Sequence, residues 1–205
     1  KQAYTFFQKG MLKEAKDIYQ ELVEKGSQNY LVYGNFALIC LTNGHREVAI
    51  HLVKKAIKLK SEYPEGHNIL GVAFKGKGDL ISAISAFQKA ITLKPKYSEA
   101  YNNLGNAQQA KGDLNAAISS FKNAIKYDLK FQEAHYNLGN ALQEQGNPSA
   151  AISSYQQAIK HKPNYPKAYN NLGNALQEQG NLSAAISSYQ QAINLQHRYP
   201  EAYNN

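Results

Sequence analysis

The sequence of 205 residues has few of the residues that crosslink a chain (Cys) or interrupt a helix (Pro). One Cys, one Met and no Trp occur, so no disulfide framework can form within the chain. No run of about 18 apolar residues is present, which argues against a transmembrane helix. The opening KQAYTFFQKG has no Met and no charged stretch before an apolar one, so it shows no signal peptide. We therefore expect an excised piece of a cytoplasmic protein.

Six Pro and 14 Gly are present, and many of them recur at one fixed interval along the chain. The glycine column comprises Gly10, Gly44, Gly78, Gly112, Gly146 and Gly180, and an alanine column follows it at Ala15, Ala49, Ala83, Ala117, Ala151 and Ala185. The segments His135–Ile159 and Tyr169–Ile193 differ at only three positions. Agreement at one period over the whole chain is the signature of a repeat protein.

Each unit predicts two helices joined by a tight turn. Tyr169, Leu172 and Leu176 lie at helical spacing on one face, and a second stripe follows Gly180. Gly180 suits the left-handed position that ends the first helix, and Asn181 suits the N-cap of the second. Asp79, Asp113 and Asn147 hold the same cap position, and Pro64, Pro166 and Pro200 open first helices.

Two further columns predict how the helices of a unit pack. The small column comprises Ala3, Ala37, Gly71, Gly105, Gly139 and Gly173, and the aromatic column comprises Tyr19, Val53, Phe87, Phe121, Tyr155 and Tyr189, with Val53 as the exception. Small residues at a crossing let two backbones approach, and the ring of the neighbouring helix fills the adjacent space.

This pattern resembles the tetratricopeptide repeat (TPR), in which aromatic-x₂-Leu-Gly, Ala-x₃-aromatic and Pro recur about every 34 residues. Tyr101, Leu104, Gly105, Ala117 and Phe121 carry it here. The resemblance covers the whole chain, and the chain is similar to a bacterial multi-repeat TPR array. It implies an all-α fold, a right-handed α-solenoid superhelix of antiparallel helix pairs. The single array is expected to have repeats at about 1–29 (partial), 30–63, 64–97, 98–131, 132–165 and 166–199, with the start of another at 200–205.

Nothing in the sequence predicts catalysis, a cofactor or a metal site. His67 and His135 stand in the column that TPRs fill with an aromatic residue, so we expect them to pack. Cys40 lies in an apolar stripe and is expected to be a buried thiol. No HExxH, CxxC or Walker sequence occurs. We therefore expect a protein without enzymatic activity.

The TPR resemblance implies that the first helices line a concave groove, and the sequence places amides at the groove positions. The candidate partner-binding residues are Asn102, Asn103, Asn106, Gln109, Asn137, Asn140, Gln143, Asn170, Asn171, Asn174 and Gln177, and Asn205 continues one row. An amide can donate to and accept from a peptide unit. The rows are similar to the asparagine ladder in the TPR region of O-GlcNAc transferases, which implies capture of an extended chain by its backbone. The alternative is that these residues serve solubility or helix contacts.

The N-terminal repeats carry apolar residues at comparable places. Tyr4, Phe7, Leu31, Leu38 and Leu41 form a candidate apolar docking patch. The alternative is that they pack against a further repeat on the N-terminal side. A clamp for acidic C-termini, which needs several Lys or Arg in the groove, is not expected, because Lys167 is the only basic residue at those positions.

The net charge of +8 comes from residues 1–131, because residues 132–205 carry four basic and four acidic residues. Many of its carriers lie on second helices and on the loops after them: Lys54, Lys55, Lys58, Lys60, Lys89, Lys94, Lys96, Lys122, Lys126 and Lys130. Such a stripe can steer an anionic partner or membrane surface. We favour a solvated helix face over nucleic-acid binding, because no exposed aromatics are interleaved with these residues.

Three functions follow from the sequence. The first is a non-catalytic protein–protein interaction scaffold that binds an extended peptide or helix of a partner in its groove. The second is the substrate-recognition arm of a larger transferase. The third is binding of nucleic acid or an anionic surface through the basic outer helices.

We expect self-association through the array ends, because the last helix pair has no polar capping helix after it and would leave apolar surface exposed. Sedimentation velocity over a range of protein concentrations measures this. A strict monomer at the highest concentration would contradict the expectation.

Overall fold

The computed structural model describes residues 2–197, which form twelve α-helices and no strand. They are α1 (Gln2–Gln8), α2 (Leu12–Glu24), α3 (Tyr30–Thr42), α4 (Arg46–Leu59), α5 (Pro64–Lys77), α6 (Leu80–Leu93), α7 (Ser98–Ala110), α8 (Leu114–Tyr127), α9 (Gln132–Glu144), α10 (Pro148–His161), α11 (Pro166–Glu178) and α12 (Leu182–His197). The predicted all-α class is confirmed. Pro200, Asn205 and the predicted start of a repeat at 200–205 lie outside the described residues.

The helix boundaries follow the predicted period. First helices begin at Tyr30, Pro64, Ser98, Gln132 and Pro166, which are evenly spaced at the interval of the glycine column. The chain divides into two compact units, Lys1–Ala107 and Gln108–Asn205, which we call unit 1 and unit 2. The single continuous array stays a prediction.

The turns inside the helix pairs form as the sequence predicts. Gly146 and Gly180 have φ angles of 80° and 78°, in the left-handed region that favours glycine. Asn147 Oδ1 accepts a hydrogen bond from the backbone N–H of Ala150 at 3.2 Å. The side chains of Asp79, Asp113 and Asn181 accept in the same way from the N–H three residues later. These bonds satisfy an orphan donor at the start of α6, α8, α10 and α12, whereas α2 and α4 have no side-chain cap.

Each unit has its own apolar core. In unit 1, Ile39, Val53 and Phe87 are fully buried. In unit 2, Phe121 and Tyr155 are fully buried. Cys40 is also buried, as predicted, and this burial raises the pKa of its thiol.

The small and aromatic columns meet at the crossing of the two helices of a repeat. A Cβ added to Gly139 would lie 2.5 Å from Cε1 of Tyr155. The same distance separates a Cβ at Gly71 from Phe87 and a Cβ at Gly173 from Tyr189. The ring therefore occupies the space that a side chain would need, which confirms the predicted packing at these three crossings.

His135 packs inside unit 2. Its ring stacks on His161 with centroids 5.5 Å apart, and its Nε2 lies 3.1 Å from the carbonyl oxygen of Leu129. Burial lowers the pKa of His135, and the backbone carbonyl opposes that shift. Burial also lowers the pKa of His67, which stands in the same column of unit 1. The predicted packing role is confirmed at His135.

Gly139→Ala is expected to destabilise the protein by about 1–3 kcal/mol, because the new methyl group displaces the buried ring of Tyr155. The cost should shrink in a Tyr155→Val background, since Ala37 and Val53 already coexist, both fully buried, in unit 1. Urea unfolding of the four proteins of this double-mutant cycle measures the coupling. Gln156→Ala, at an exposed position of α10, is the control, and equal costs in both backgrounds would contradict the expectation.

Acidification is expected to weaken the fold through His135. Its pKa is lower in the folded chain, so below about pH 6.5 the unfolded chain binds the proton more readily and the unfolding free energy falls. Above that pH this contribution is constant. His135→Tyr, the residue at positions 101 and 169 of this column, should reduce the loss. Asp128 and His161 face the same ring, so the comparison uses urea melts of both proteins across that pH range. Parallel pH profiles would refute a role for His135.

Candidate partner-binding groove

The amides of α9 and α11 form a hydrogen-bonded network in unit 2. Asn140 Oδ1 accepts from the hydroxyl of Tyr155 at 2.9 Å and from Asn171 Nδ2 at 2.9 Å. Asn171 Nδ2 also lies 3.2 Å from the hydroxyl oxygen of Tyr136. A carbonyl oxygen has two lone pairs, and Asn140 Oδ1 has two donors of the protein within hydrogen-bond distance. We call the face of α9 and α11 that carries these amides the amide face.

The same arrangement recurs one repeat later. Tyr189, on α12, lies with its hydroxyl 2.8 Å from Asn174 Oδ1 and 3.0 Å from Gln177 Oε1. In the preceding repeat the Tyr155 hydroxyl lies 2.9 Å from Gln143 Oε1. A hydroxyl has one proton, so each tyrosine donates to one of its two oxygens at a time.

A second row links glutamines to carboxylates. Gln109 Nε2 donates to Glu144 at 2.8 Å, and Gln143 Nε2 donates to Glu178 at 2.8 Å. Sequence reasoning missed both glutamates. Each lies 35 residues after its glutamine, one repeat plus one residue, and that regular offset is the signal that would have revealed them.

Sequence reasoning also missed the two tyrosines as parts of the site. The aromatic column predicts only packing for Tyr155 and Tyr189, but their hydroxyls reach the amide face. Burial raises the pKa of Tyr155, so its hydroxyl keeps the proton that it donates. The signal in the sequence is that these two positions of the aromatic column carry Tyr where Phe87 and Phe121 have no hydroxyl.

The predicted groove residues differ in exposure. Asn103, Asn106, Gln109, Asn137, Asn140, Gln143 and Asn171 are half-buried, and Asn170, Asn174 and Gln177 are exposed. Asn102 is different, because it is only 8% exposed. Little of Asn102 is open to a partner in the free chain, and its place in the groove stays a prediction.

The amides of unit 1 are fewer but are bonded in a related way. Asn103 Nδ2 donates to Asn68 Oδ1 at 3.0 Å. Asn35, which stands two repeats before Asn103 in the same column, donates to the hydroxyl of Tyr19 at 3.0 Å. These amides also contact neighbouring side chains before any partner is present.

A cavity of about 540 Å³ opens beside the amide face of unit 2. Asn170 and Asn171 line it together with Tyr136, Lys167 and Tyr189. Asn174 and Gln177 are not among its lining residues. The cavity therefore joins one end of the predicted amide row to the basic Lys167.

The predicted apolar patch surrounds a cavity of about 600 Å³ in unit 1. Tyr4, Phe7, Leu31 and Leu38 line it. Leu41 does not line it and is half-buried. The structure thus brings four of the five predicted residues to one cavity.

Val72 extends this apolar character and was missed. It is 38% exposed and stands in the same column as Tyr4, Leu38, Asn106 and Asn140. This column is apolar at its first three positions and carries Asn afterwards, which was visible in the sequence.

The described residues hold no group of three or more His, Cys, Asp or Glu side chains placed to bind a metal ion. No helix among residues 2–197 combines the length and apolarity needed to cross a membrane. The lysines of the outer stripe, from Lys54 to Lys130, are exposed. Lys60 and Lys94 lie over the rings of Tyr30 and Tyr97, at 4.6 and 4.3 Å from their centroids.

Solved structures with the same fold are numerous. The crystal structure of MamA is 27% identical and covers 79% of this chain and 95% of its own, with a TM-score of 0.72. YrrB, a TPR protein with an unusual peptide-binding site, is 20% identical, with 91% and 96% covered and a TM-score of 0.67. The pilF protein of Pseudomonas aeruginosa is 18% identical, with 85% and 84% covered and a TM-score of 0.75. No curated protein sequence matches the chain.

Models of the tetratricopeptide repeat match three parts of the sequence. One matches residues 136–203, a second matches residues 74–112 and 109–146, and a third matches residues 1–25. Together with the helix pairs that begin at one fixed interval, these matches identify the repeat along most of the chain. The chain belongs to the tetratricopeptide-repeat family.

Proposed function

We propose that this protein is a non-catalytic scaffold that captures an extended peptide or a helix of a protein partner in a concave groove lined by its first helices. The observation that carries the proposal is the network of amides at equivalent positions of α9 and α11, held by hydrogen bonds to the second helices and to each other. Amides at a repeating interval match the repeating peptide units of an extended chain.

The network also refines what the amides offer to a partner. Asn140 Oδ1 accepts from Asn171 and, when the Tyr155 proton is not on Gln143, from Tyr155 as well, so Asn140 offers a partner a donor more readily than an acceptor. Among residues 2–197, Asn174 Oδ1 accepts from Tyr189 alone, which leaves one lone pair. The sequence suggested that each amide pairs with both the C=O and the N–H of a peptide. At Asn140 the structure favours contact with the C=O alone.

The apolar cavity of unit 1 supports a second contact of the same kind. Tyr4 and Leu31 are 50% and 42% exposed at its rim, and covering them would remove apolar surface from water. We propose that apolar side chains of a protein partner occupy this cavity. The similarity to the ladder of O-GlcNAc transferases and the cytoplasmic location stay predictions.

Replacing Asn137, Asn171 and Asn174 together with Ala should weaken peptide capture at least about tenfold, because each lost hydrogen bond contributes about 0.5–1.5 kcal/mol. The fold should survive, since these side chains are half-buried or exposed on helices where Ala is well tolerated. The probe is a set of dodecapeptides selected from a random phage-displayed library on the wild-type protein and titrated by fluorescence anisotropy.

The matched control replaces Gln156, Gln157 and Gln190, exposed amides of the second helices, with Ala. Circular dichroism and thermal melts verify the fold of both triple variants. The control should bind as the wild type does. Failure to select any peptide, or equal binding by the groove variant, would contradict the proposed function.

A further inference from the structure

Two tyrosines of the second helices hold equivalent positions behind the amide face. Tyr155 on α10 and Tyr189 on α12 occupy the same place in successive repeats. Each hydroxyl reaches an Asn and a Gln on the first helix of its own repeat, at distances between 2.8 and 3.0 Å. Tyr155 is fully buried. Packing of the ring therefore fixes where its hydroxyl lies.

In most repeats, the two first-helix positions beside the aromatic-column residue change together with that residue. The repeats with Tyr155 and Tyr189 have Asn and Gln there, whereas the repeat with Phe87 has Val72 and Lys75. The repeat with Val53 has Leu38 and Leu41. Two repeats depart from this pattern. Asn106 and Gln109 accompany Phe121, and Tyr4 and Phe7 accompany Tyr19, whose hydroxyl accepts from Asn35 instead.

At Asn140 two donors that meet on one oxygen, the Tyr155 hydroxyl and the N–H₂ group of Asn171, set the orientation of the amide group. The Tyr155 hydroxyl is a donor to the oxygen of Asn140, and Asn171 Nδ2 donates to the same oxygen. Turning the Asn140 amide over would set its N–H₂ group against the N–H₂ group of Asn171. The oxygen therefore stays on the side of these donors, and the N–H₂ group of Asn140 points away from them. Within the described residues, that N–H₂ group has no hydrogen-bond acceptor.

We propose that Tyr155 and Tyr189 are positioning residues that hold Asn140 and Asn174 with their N–H₂ groups toward the groove, so that the groove selects the backbone carbonyl oxygens of an extended peptide. This inference rests on the proposed function and adds that the groove supplies the hydrogen-bond donors and the peptide supplies the acceptors. The hydroxyls do not touch the partner. They remove the rotational freedom that the amides would otherwise lose on binding, and such preorganisation increases affinity.

The first test removes the two hydroxyls and keeps the rings. Tyr155→Phe and Tyr189→Phe should each weaken binding of the selected dodecapeptide about twofold to tenfold, the effect of immobilising one side chain. Tyr127→Phe, at the end of α8 in the same unit, is the control and should bind as the wild type does. The peptide used is one whose binding is lost in the triple Asn variant.

A readout independent of affinity separates positioning from simple stability. In ¹⁵N–¹H spectra of the free protein, the side-chain N–H₂ resonances of Asn140 and Asn174 should shift or broaden in the respective Phe variants. They should be unchanged in Tyr127→Phe. Unchanged affinity and unchanged amide resonances in Tyr155→Phe and Tyr189→Phe would overturn the proposal.

The second test replaces the N–H₂ donors of Asn140 and Asn174 with acceptors. Asn140 is half-buried and Asn174 is exposed. Asn140→Asp and Asn174→Asp keep the shape and still accept from the tyrosines, but they lose the N–H₂ donors. The double variant should lose at least about tenfold in affinity for the same peptide. Wild-type affinity in this variant would show that the groove accepts from the partner, and the proposal would fail.

The outcomes separate this inference from the proposed function. If no dodecapeptide binds the wild-type protein through Asn137, Asn171 and Asn174, the proposed function fails and the inference fails with it. If a peptide binds through them but neither the Phe nor the Asp variants change its affinity, the inference alone fails. Melting temperatures of all variants identify losses that come from unfolding.

Discussion

The close approach of two helices at a missing side chain is the constraint on which the repeats with Gly71, Gly139 and Gly173 depend. At Gly139 the ring of Tyr155 occupies the space where a Cβ would lie, and Gly173 receives Tyr189 in the same way. This contact buries the ring and also carries the hydroxyl across to the first helix. The packing of the two helices and the hydrogen bonds of the tyrosine hydroxyl therefore depend on the same pair of residues. A substitution at the glycine would move the hydroxyl as well as the ring.

The fold follows from the sequence because its signals are local and repeated. Gly146, Asn147 and Pro148 predict where one helix ends and the next begins, and the structure places the boundaries there. The hydrogen bond between Asn140 and Asn171 was beyond sequence reasoning, because it depends on side-chain direction across two helices. Burial was also not predictable from the repeat position alone, because Asn102 is buried and Asn170, in the same column, is exposed.

The two units have different groove chemistry on the same repeat scaffold. Tyr4, Leu38 and Val72 stand in unit 1 at the positions where Asn140 and Asn174 stand in unit 2. Apolar surface gives affinity without direction, whereas fixed amide donors require a partner atom at a set place. Under the proposed function, the repeats with Tyr4, Leu38 and Val72 would receive apolar side chains, and those with Asn140 and Asn174 would receive a peptide backbone.

The hydrogen-bond network around Asn140 involves only its own repeat and the first helix of the next, because its members are Tyr155 and Asn171. A duplicated repeat would therefore bring its own ring, glycine and amide and needs no further adjustment elsewhere. The near identity of His135–Ile159 and Tyr169–Ile193 is what such copying leaves behind. Under the proposed function, each repeat gained would add one amide donor for a backbone carbonyl of the bound peptide.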